Sequence, residues 1–328
     1  MSTPTPNEGT YDVNSERVTN PLALPEVPVE QFDEIFDQLK RWGQYSDPSR
    51  GAWGTVGPDQ VRAAAALVRS GRTAQLGLPW NTVSGIDNPQ PALHMMVEMG
   101  DREPPEPTCN KDFLGVAFHG KAVSHLDALS HIAYRGQLFD GHSSTEVVHS
   151  TGTDFGDVAA LRHLVTSAVL LDFAAIDGVD WVEPGTAFHA DDILRAEQAL
   201  GVTIGPGDAV LIRSGHFARR AALGAWNPDV EGSAGLHVDA MPLLADRGIS
   251  LLGGDGDSDA RPAPTPGIGS PIHILAITAM GVPLLDNLDL EELSVACREE
   301  GRYTFMLTVA PLNVPRGTGG PVNPIAVF

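Results

Sequence analysis

Residues 118–131 read Phe118-His119-Gly120-Lys121-Ala122-Val123-Ser124-His125-Leu126-Asp127-Ala128-Leu129-Ser130-His131. His119, His125, Asp127 and His131 fall together here, while the rest of the chain's 11 histidines are scattered. His125 and Asp127 are two apart, so on an extended segment their side chains leave the same side of the backbone. Asp127 and His131 are four apart, so a helical turn after Asp127 would place them on one face and bring all three groups to one point. Imidazole and carboxylate together suit borderline divalent metals, and a site with fewer protein ligands than the ion's coordination number leaves a position for water. A lone His-x-Asp is more often a surface pair or a satisfied core pair. The added His131, with His119 upstream, tips the reading toward a site.

The remainder of the chain sets bounds. At 328 residues, 42% hydrophobic and 19% charged, it can bury a sizeable core. A formal charge of −21 disfavours a nucleic-acid backbone or an anionic membrane surface as partner, because both need a basic footprint. Cys109 and Cys297 lie far apart in unlike contexts and make neither a disulfide framework nor a thiolate metal site. Without a basic and apolar leader or a long apolar run, a cytoplasmic protein is the default expectation.

No linker or charge block divides the middle of the sequence. Residues 1–30 read as a polar, Pro-rich arm, loosely ordered or strapped onto a neighbouring subunit, and residues 31–328 as one large domain. Phe32, Ile35, Phe36 and Leu39 form a helical stripe within 32–42, and Pro58 opens a second helix to about Val68. Strands are expected at 75–79, 114–118, 165–173, 208–213, 249–252, 282–285 and 303–311. Helices are expected after His189 with a stop at Gly201, and at 239–246, 272–280 and 290–299. Alternating strands and helices argue for an α/β class, and the turn-rich first half argues against a plain doubly wound sheet.

Three further places carry candidate chemistry. His273 opens a helix and Asp286 ends the strand after it, and a helix and return strand of similar length would finish at one end of the sheet. Alternatively, His273 is simply a helix N-terminal residue and Asp286 a cap for the next helix. Asp255, Asp257 and Asp259 alternate in an acidic loop that lacks EF-hand spacing. It reads as a solvated or hydrogen-bonding loop, with Asp255 the member placed to point into a pocket. Trp80 is either a substrate-stacking lid or a core residue. The Gly317-Thr318-Gly319-Gly320 run resembles a phosphate cradle only superficially, and neither a serine nor a cysteine nucleophile has a suitable setting.

The segment Ser124–His131 resembles the His-x-Asp-x-x-x-His signature of the cyclase superfamily that includes bacterial kynurenine formamidase and isatin hydrolase. The resemblance continues in order through Leu211–Gly215, Leu251–Asp255 with Ser258-Asp259, His273, Pro283–Leu288 and Pro311–Ala326, covering about residues 75–327. It implies a swivelling β/β/α fold, a homodimer or homotetramer, and a Zn²⁺ or Mn²⁺ cofactor. It also implies His125, Asp127, His273 and Asp286 as metal ligands and His131 as general acid/base.

This chain departs from the family pattern. Lys121 stands where the family has a further histidine, which His119 could replace through a strand bulge. Asp286 is one methylene shorter than the family's Glu, and His273 lies one residue further from it. A lysine cation near the site favours one ion over two.

The resulting expectation is a metal-dependent hydrolase acting on a carbon–nitrogen bond of a small amide or cyclic amide. His131, with an unperturbed pKa near 6.5, would move the proton. A lactone hydrolase or cyclase/dehydratase on the same site, and a non-catalytic metal-binding protein, are the rival readings.

Overall fold

Hydrophobic residues that alternate along four adjacent strands decide how the chain packs. The structure, a computed structural model, describes residues 26–100 and 107–328; most of the expected arm (1–25), and residues 101–106 of the proline-rich loop, lie outside the described residues. The strands that matter are β1 (Thr73–Gln75), β2 (Leu93–Glu98), β3 (Lys111–Gly115), β4 (His125–Asp127), β5 (Leu164–Asp172), β6 (Ala209–Arg213), β7 (Leu251–Gly254), β8 (Leu284–Asp286), β9 (Thr304–Val309), β10 (Gly319–Pro321) and β11 (Ile325–Val327). Nine of them form one mixed sheet in the order β1-β11-β9-β5-β6-β7-β8-β4-β10. β5 to β8 run parallel, and both flanks are antiparallel.

Successive residues of a strand face opposite sides, so this sheet has two cores. Val169, Leu171, Val210, Ile212, Leu252 and Leu284 face one layer. It contains α1 (Val29–Leu39), α3 (Ala190–Leu200), α5 (Ala240–Arg247) and a π-helix at Ile274–Met280. Leu170, Leu211, Leu251, Leu285 and Leu126 face the other, against α6 (Glu291–Glu300), Phe305 and Phe328. Burying one such side chain contributes roughly 1.5–3 kcal/mol.

Local chemistry explains the helix ends. α1 buries Phe32, Phe36 and Leu39, as their spacing predicts. α2 (Pro58–Ala65) begins with Pro at its first position, and the Gly57 amide donates to Gln60 Oε1 at 3.0 Å; it stops three residues short of Val68. Asp192 accepts from the His189 amide at 2.9 Å to start α3, and left-handed Gly201 ends it.

Three expectations need correction. β1 lies at 73–75 instead of 75–79, since Pro79 has no amide to give; the chain beyond it still pairs through Leu76 with Pro324 and Gly77 with Leu288. β3 ends at Gly115, and the segment to Ser124 is loop. The helix expected at 272–280 is one short turn, Pro271–His273, running into a π-helix. The carbonyls of Thr278, Ala279 and Met280 in that wide turn accept from the Trp42 indole, the Arg41 amide and the Tyr45 hydroxyl.

At the ends of β5 and β6, Arg213 binds Asp172 at 2.8 Å and Glu291 at 2.6 Å, and Asp172 is fully buried. Removing one member of a buried pair leaves the other charge uncompensated. Arg213→Ala is expected to destabilise the fold by roughly 3–5 kcal/mol in urea unfolding; a loss under 1 kcal/mol contradicts this account.

Candidate metal centre

The antiparallel register of β4 against β8 sets Asp286 opposite His125 and Leu284 opposite Asp127. Residues directly opposite share a face. His125, Asp127 and Asp286 therefore project from one side, while Leu126 and Leu285 anchor the strands in the other core. His273 arrives from the turn before the π-helix.

Asp127 lies at the middle, fully buried. Its Oδ1 receives His119 Nδ1 at 2.7 Å and faces His125 Nε2 at 3.6 Å; its Oδ2 faces His273 Nε2 at 3.4 Å and His131 Nε2 at 3.8 Å. His273 Nε2 also lies 3.1 Å from Asp286 Oδ2, whose other oxygen accepts Ser258 Oγ at 3.0 Å. The rings of His119 and His131 stack at 3.8 Å. Every residue assigned to metal binding or proton transfer from sequence is in this cluster.

Two of them arrive by other routes than expected. Asp127–His131 is not helical: the His131 amide closes a turn on Ala128 O at 3.0 Å, and Ser130 donates to Gly156 O at 3.2 Å. His119 comes on a loop, not on a bulged strand. Gly319, which pairs with Asp127 in β10, makes the room: a Cβ there would lie 2.9 Å from the His119 ring and 2.3 Å from Leu126 O. Thr318 Oγ1 meets His119 Nε2 at 2.9 Å, so the glycine run is the floor of this site and not a phosphate cradle.

The acidic loop divides by role. Asp255 was expected to point into a pocket, but its two oxygens are taken by the amides of Ser214, Gly215 and His216 at 2.7–3.0 Å and by Ser214 Oγ at 2.9 Å, at the start of α4 (His216–Leu223). Burial lifts its pKa to about 6 against those bonds. Asp259 instead accepts His273 Nδ1 at 2.6 Å and the Ile272 amide at 2.6 Å. That bond leaves Nε2 facing Asp127 and Asp286 and orients the ring, as carboxylates behind ligating histidines do. Asp257 stands 3.8 Å from His273 Nδ1. Sequence reading missed Asp257, Asp259 and Thr318 as site residues; the alternating spacing of the loop, beside a buried strand end, was the available signal.

Electrostatics favours a cation here. Burial opposes charge on Asp127, yet His125, His119, His273 and His131 hold it well below the usual carboxylate range. Burial likewise opposes charge on His273, but Asp286, Asp127 and Asp259 hold it well above the usual histidine range. Burial is the main cause that lowers His131 to about 4, with Asp127 opposing and the other histidines assisting, so this imidazole is a neutral acceptor near pH 7. Asp127 Oδ2 is buried and makes no hydrogen bond among the described residues. An oxygen of that kind, beside imidazole nitrogens, fits a divalent ion: His119, His125 and Asp127 converge closely enough to share one, as do Asp127, His131 and His273, and Asp286 adjoins the second group through His273 Nε2 at 3.1 Å.

Trp80, about one-third exposed, lies apart from this cluster in a neighbouring cleft with Lys121 and Asn287.

A mixed α/β sheet carrying a His/Asp cluster on paired strand ends defines a metal-site class of protein. The family model described as Putative cyclase matches residues 52–258, and the chain belongs to that family. A crystal structure of a novel cyclase is 25% identical with a TM-score of 0.79, covering 89% of this chain and 99% of its own. Isatin hydrolase A from Labrenzia aggregata (21% identity, TM-score 0.57, 82% and 98% coverage) and from Ralstonia solanacearum (22%, 0.55, 84% and 99%) share the fold. No curated protein matches the sequence.

Asp259→Ala frees the His273 ring while leaving Asp127 and Asp286 in place. Losing such an orienting carboxylate typically costs 10–100-fold in metal affinity. That loss is expected in chelator competition, and an affinity within about twofold of the parent would refute the orienting role.

Proposed function

We propose that the protein is a metal-dependent hydrolase that cleaves a carbon–nitrogen bond of a small amide or cyclic amide. The observation that carries this reading is the buried Asp127 Oδ2, which has no hydrogen bond among the described residues and faces His273 Nε2 at 3.4 Å and His131 Nε2 at 3.8 Å. Family membership and the fold shared with isatin hydrolases support it.

His119, His125, Asp127, His273 and Asp286 would hold one divalent ion, Zn²⁺ or Mn²⁺. When bound, such an ion supplies Lewis acidity, polarising a carbonyl and making solvent more acidic. Asp259 keeps His273 Nε2 turned inward. His131 Nε2, on the partly exposed side, takes a proton from the attacking water and returns it to the leaving nitrogen, so amide and water become carboxylic acid and amine. The His119 ring stacked on His131 keeps that imidazole in place. Lys121, 3.9 Å from Asp257 beside His273, argues for a single ion, because a second divalent charge would meet the ammonium. Trp80 would stack on bound substrate.

We also infer a homo-oligomer assembled through the β2–β3 ribbon. Among the described residues its strands pair only with each other, and Leu93, Met95, Val97, Phe113 and Leu114 are exposed on it. An isolated two-stranded ribbon is marginal in water, and cover from a second copy would stabilise it.

Two measurements test these readings. His131→Ala is expected to retain its metal by elemental analysis, while turnover on the responsive member of a panel of N-formyl aromatic amines, isatin-type lactams and lactones falls about 10²–10⁴-fold. Unchanged turnover, or a panel in which only lactones react, overturns the assignment. The double change Met95→Asp and Phe113→Asp should convert the oligomer to monomer in light scattering; a monomeric parent would disprove the interface.

A further inference from the structure

We propose that the cleft beside the metal centre is a carboxylate-binding pocket built around Lys121, so that the substrate is a compact organic acid. This rests on the hydrolase reading above and narrows it to a substrate class. The cleft, of about 350 Å³, has apolar walls from Leu78, Pro79, Trp80 and Phe217. That is room for a ring-sized molecule. Lys121 and Asn287 form the side nearest the cluster: Asn287 follows Asp286 in the chain, and Lys121 lies between His119 and His125.

The Lys121 ammonium has three protons to donate and is incompletely served. Among the described residues it makes one long hydrogen bond, to Asn287 Oδ1 at 3.4 Å. Its nearest carboxylate oxygen, Asp257 Oδ2 at 3.9 Å, already accepts Arg261 Nε at 3.0 Å and Nη2 at 2.5 Å. The Lys121 side chain is 29% exposed and lines the cleft.

The other charges of the cleft cancel. Arg220 is paired with Asp87 at 2.5 Å, and Asp87 is the one acidic residue in the lining. His216 is held down to about 3, by burial first and then by Lys121, and is neutral. Lys121 remains, its one ion pair the long contact to an Asp257 oxygen that Arg261 already engages, in a chain of net charge −21. The amides at the start of α4 could have served a phosphate, but Asp255 occupies them. A monoanion therefore matches the pocket better than a dianion. Asp257 joins the two regions, with one oxygen toward Lys121 and the other 3.8 Å from His273 Nδ1. A carboxylate on Lys121 Nζ would direct the far end of a short molecule to the cluster.

Benzoate and its neutral isostere benzamide serve as probes, titrated calorimetrically into the metal-loaded and the chelator-treated protein. Benzoate is expected to bind both forms about tenfold or more tightly than benzamide. Lys121→Met should lose that preference while binding benzamide within about twofold of the parent, and Lys121→Arg should keep it. Metal content, measured on the same samples, should not change. Equal benzoate affinity in Lys121→Met and the parent overturns the proposal, as does benzoate binding that chelation abolishes, because the carboxylate would then sit on the metal. Binding is read without turnover, so the absence of hydrolysis across the panel, extended to amides and lactams that carry a carboxylate, would defeat the hydrolase reading while this comparison still gives its own answer.

Discussion

The Asp127 carboxylate is the group on which the arrangement depends. It is fully buried on a three-residue strand, with His119, His125, His131 and His273 around it. Placing an ionised carboxylate in a dry interior costs several kcal/mol unless partners offset it. Those partners come from four separate stretches: the loop before β4, β4 itself, the turn after it, and the turn before the π-helix. Each stretch is held by its own packing. Leu126 and Leu129 anchor the motif in opposite cores, and the π-helix is buried along its whole length. The core thus supports a charged cluster that it would otherwise expel.

Much of this was legible because the relevant periodicity is short. A two-residue spacing on a strand fixes the face, so His125 and Asp127 could be read as neighbours with no knowledge of the fold. The alternation of strands with helices in the second half likewise pointed to an α/β class. His273 and Asp286 were harder: matched helix and strand lengths allowed them to finish at one end of the sheet but left structural roles equally open, and Asp286 comes opposite His125 only through the register between β4 and β8. That register is a tertiary quantity with no local signature, and the resemblance to a family decided the reading.

What could not be read was the set of side chains that act through others. Asp259 and Asp255 are both short acidic residues in one glycine-rich loop. Nothing in their neighbours distinguishes the carboxylate that orients His273 from the one that binds the amides of 214–216. The difference is which way the chain turns after β7. The glycine at 319 was silent for a related reason: the run was set aside as a phosphate cradle, but nothing local says that the missing Cβ admits a neighbouring histidine ring. The turn at 128–131 shows the converse, since an incorrect backbone expectation still brought Asp127 and His131 together. Four residues of tight turn and four residues of helix span similar distances.

The two faces of the sheet divide the labour between folding and chemistry. Leu126 and Leu285 lie on one side with Phe305 and Phe328, and their loss would be felt in stability. Their immediate neighbours, Asp127 and Asp286, lie on the other, where charge is concentrated. A strand lets consecutive residues serve these opposed needs without compromise, which a helix of the same length could not do for so many paired positions. Because the cluster is built on paired strand ends, its donor separations follow from backbone hydrogen bonding. His119, His131, His273 and Lys121 come from outside the strands; the first two and Lys121 keep about a quarter of their side chains exposed, while His273 is buried. The open side of the site is therefore bordered by loop and turn residues, whereas His125, Asp127 and Asp286 are fixed by strand pairing.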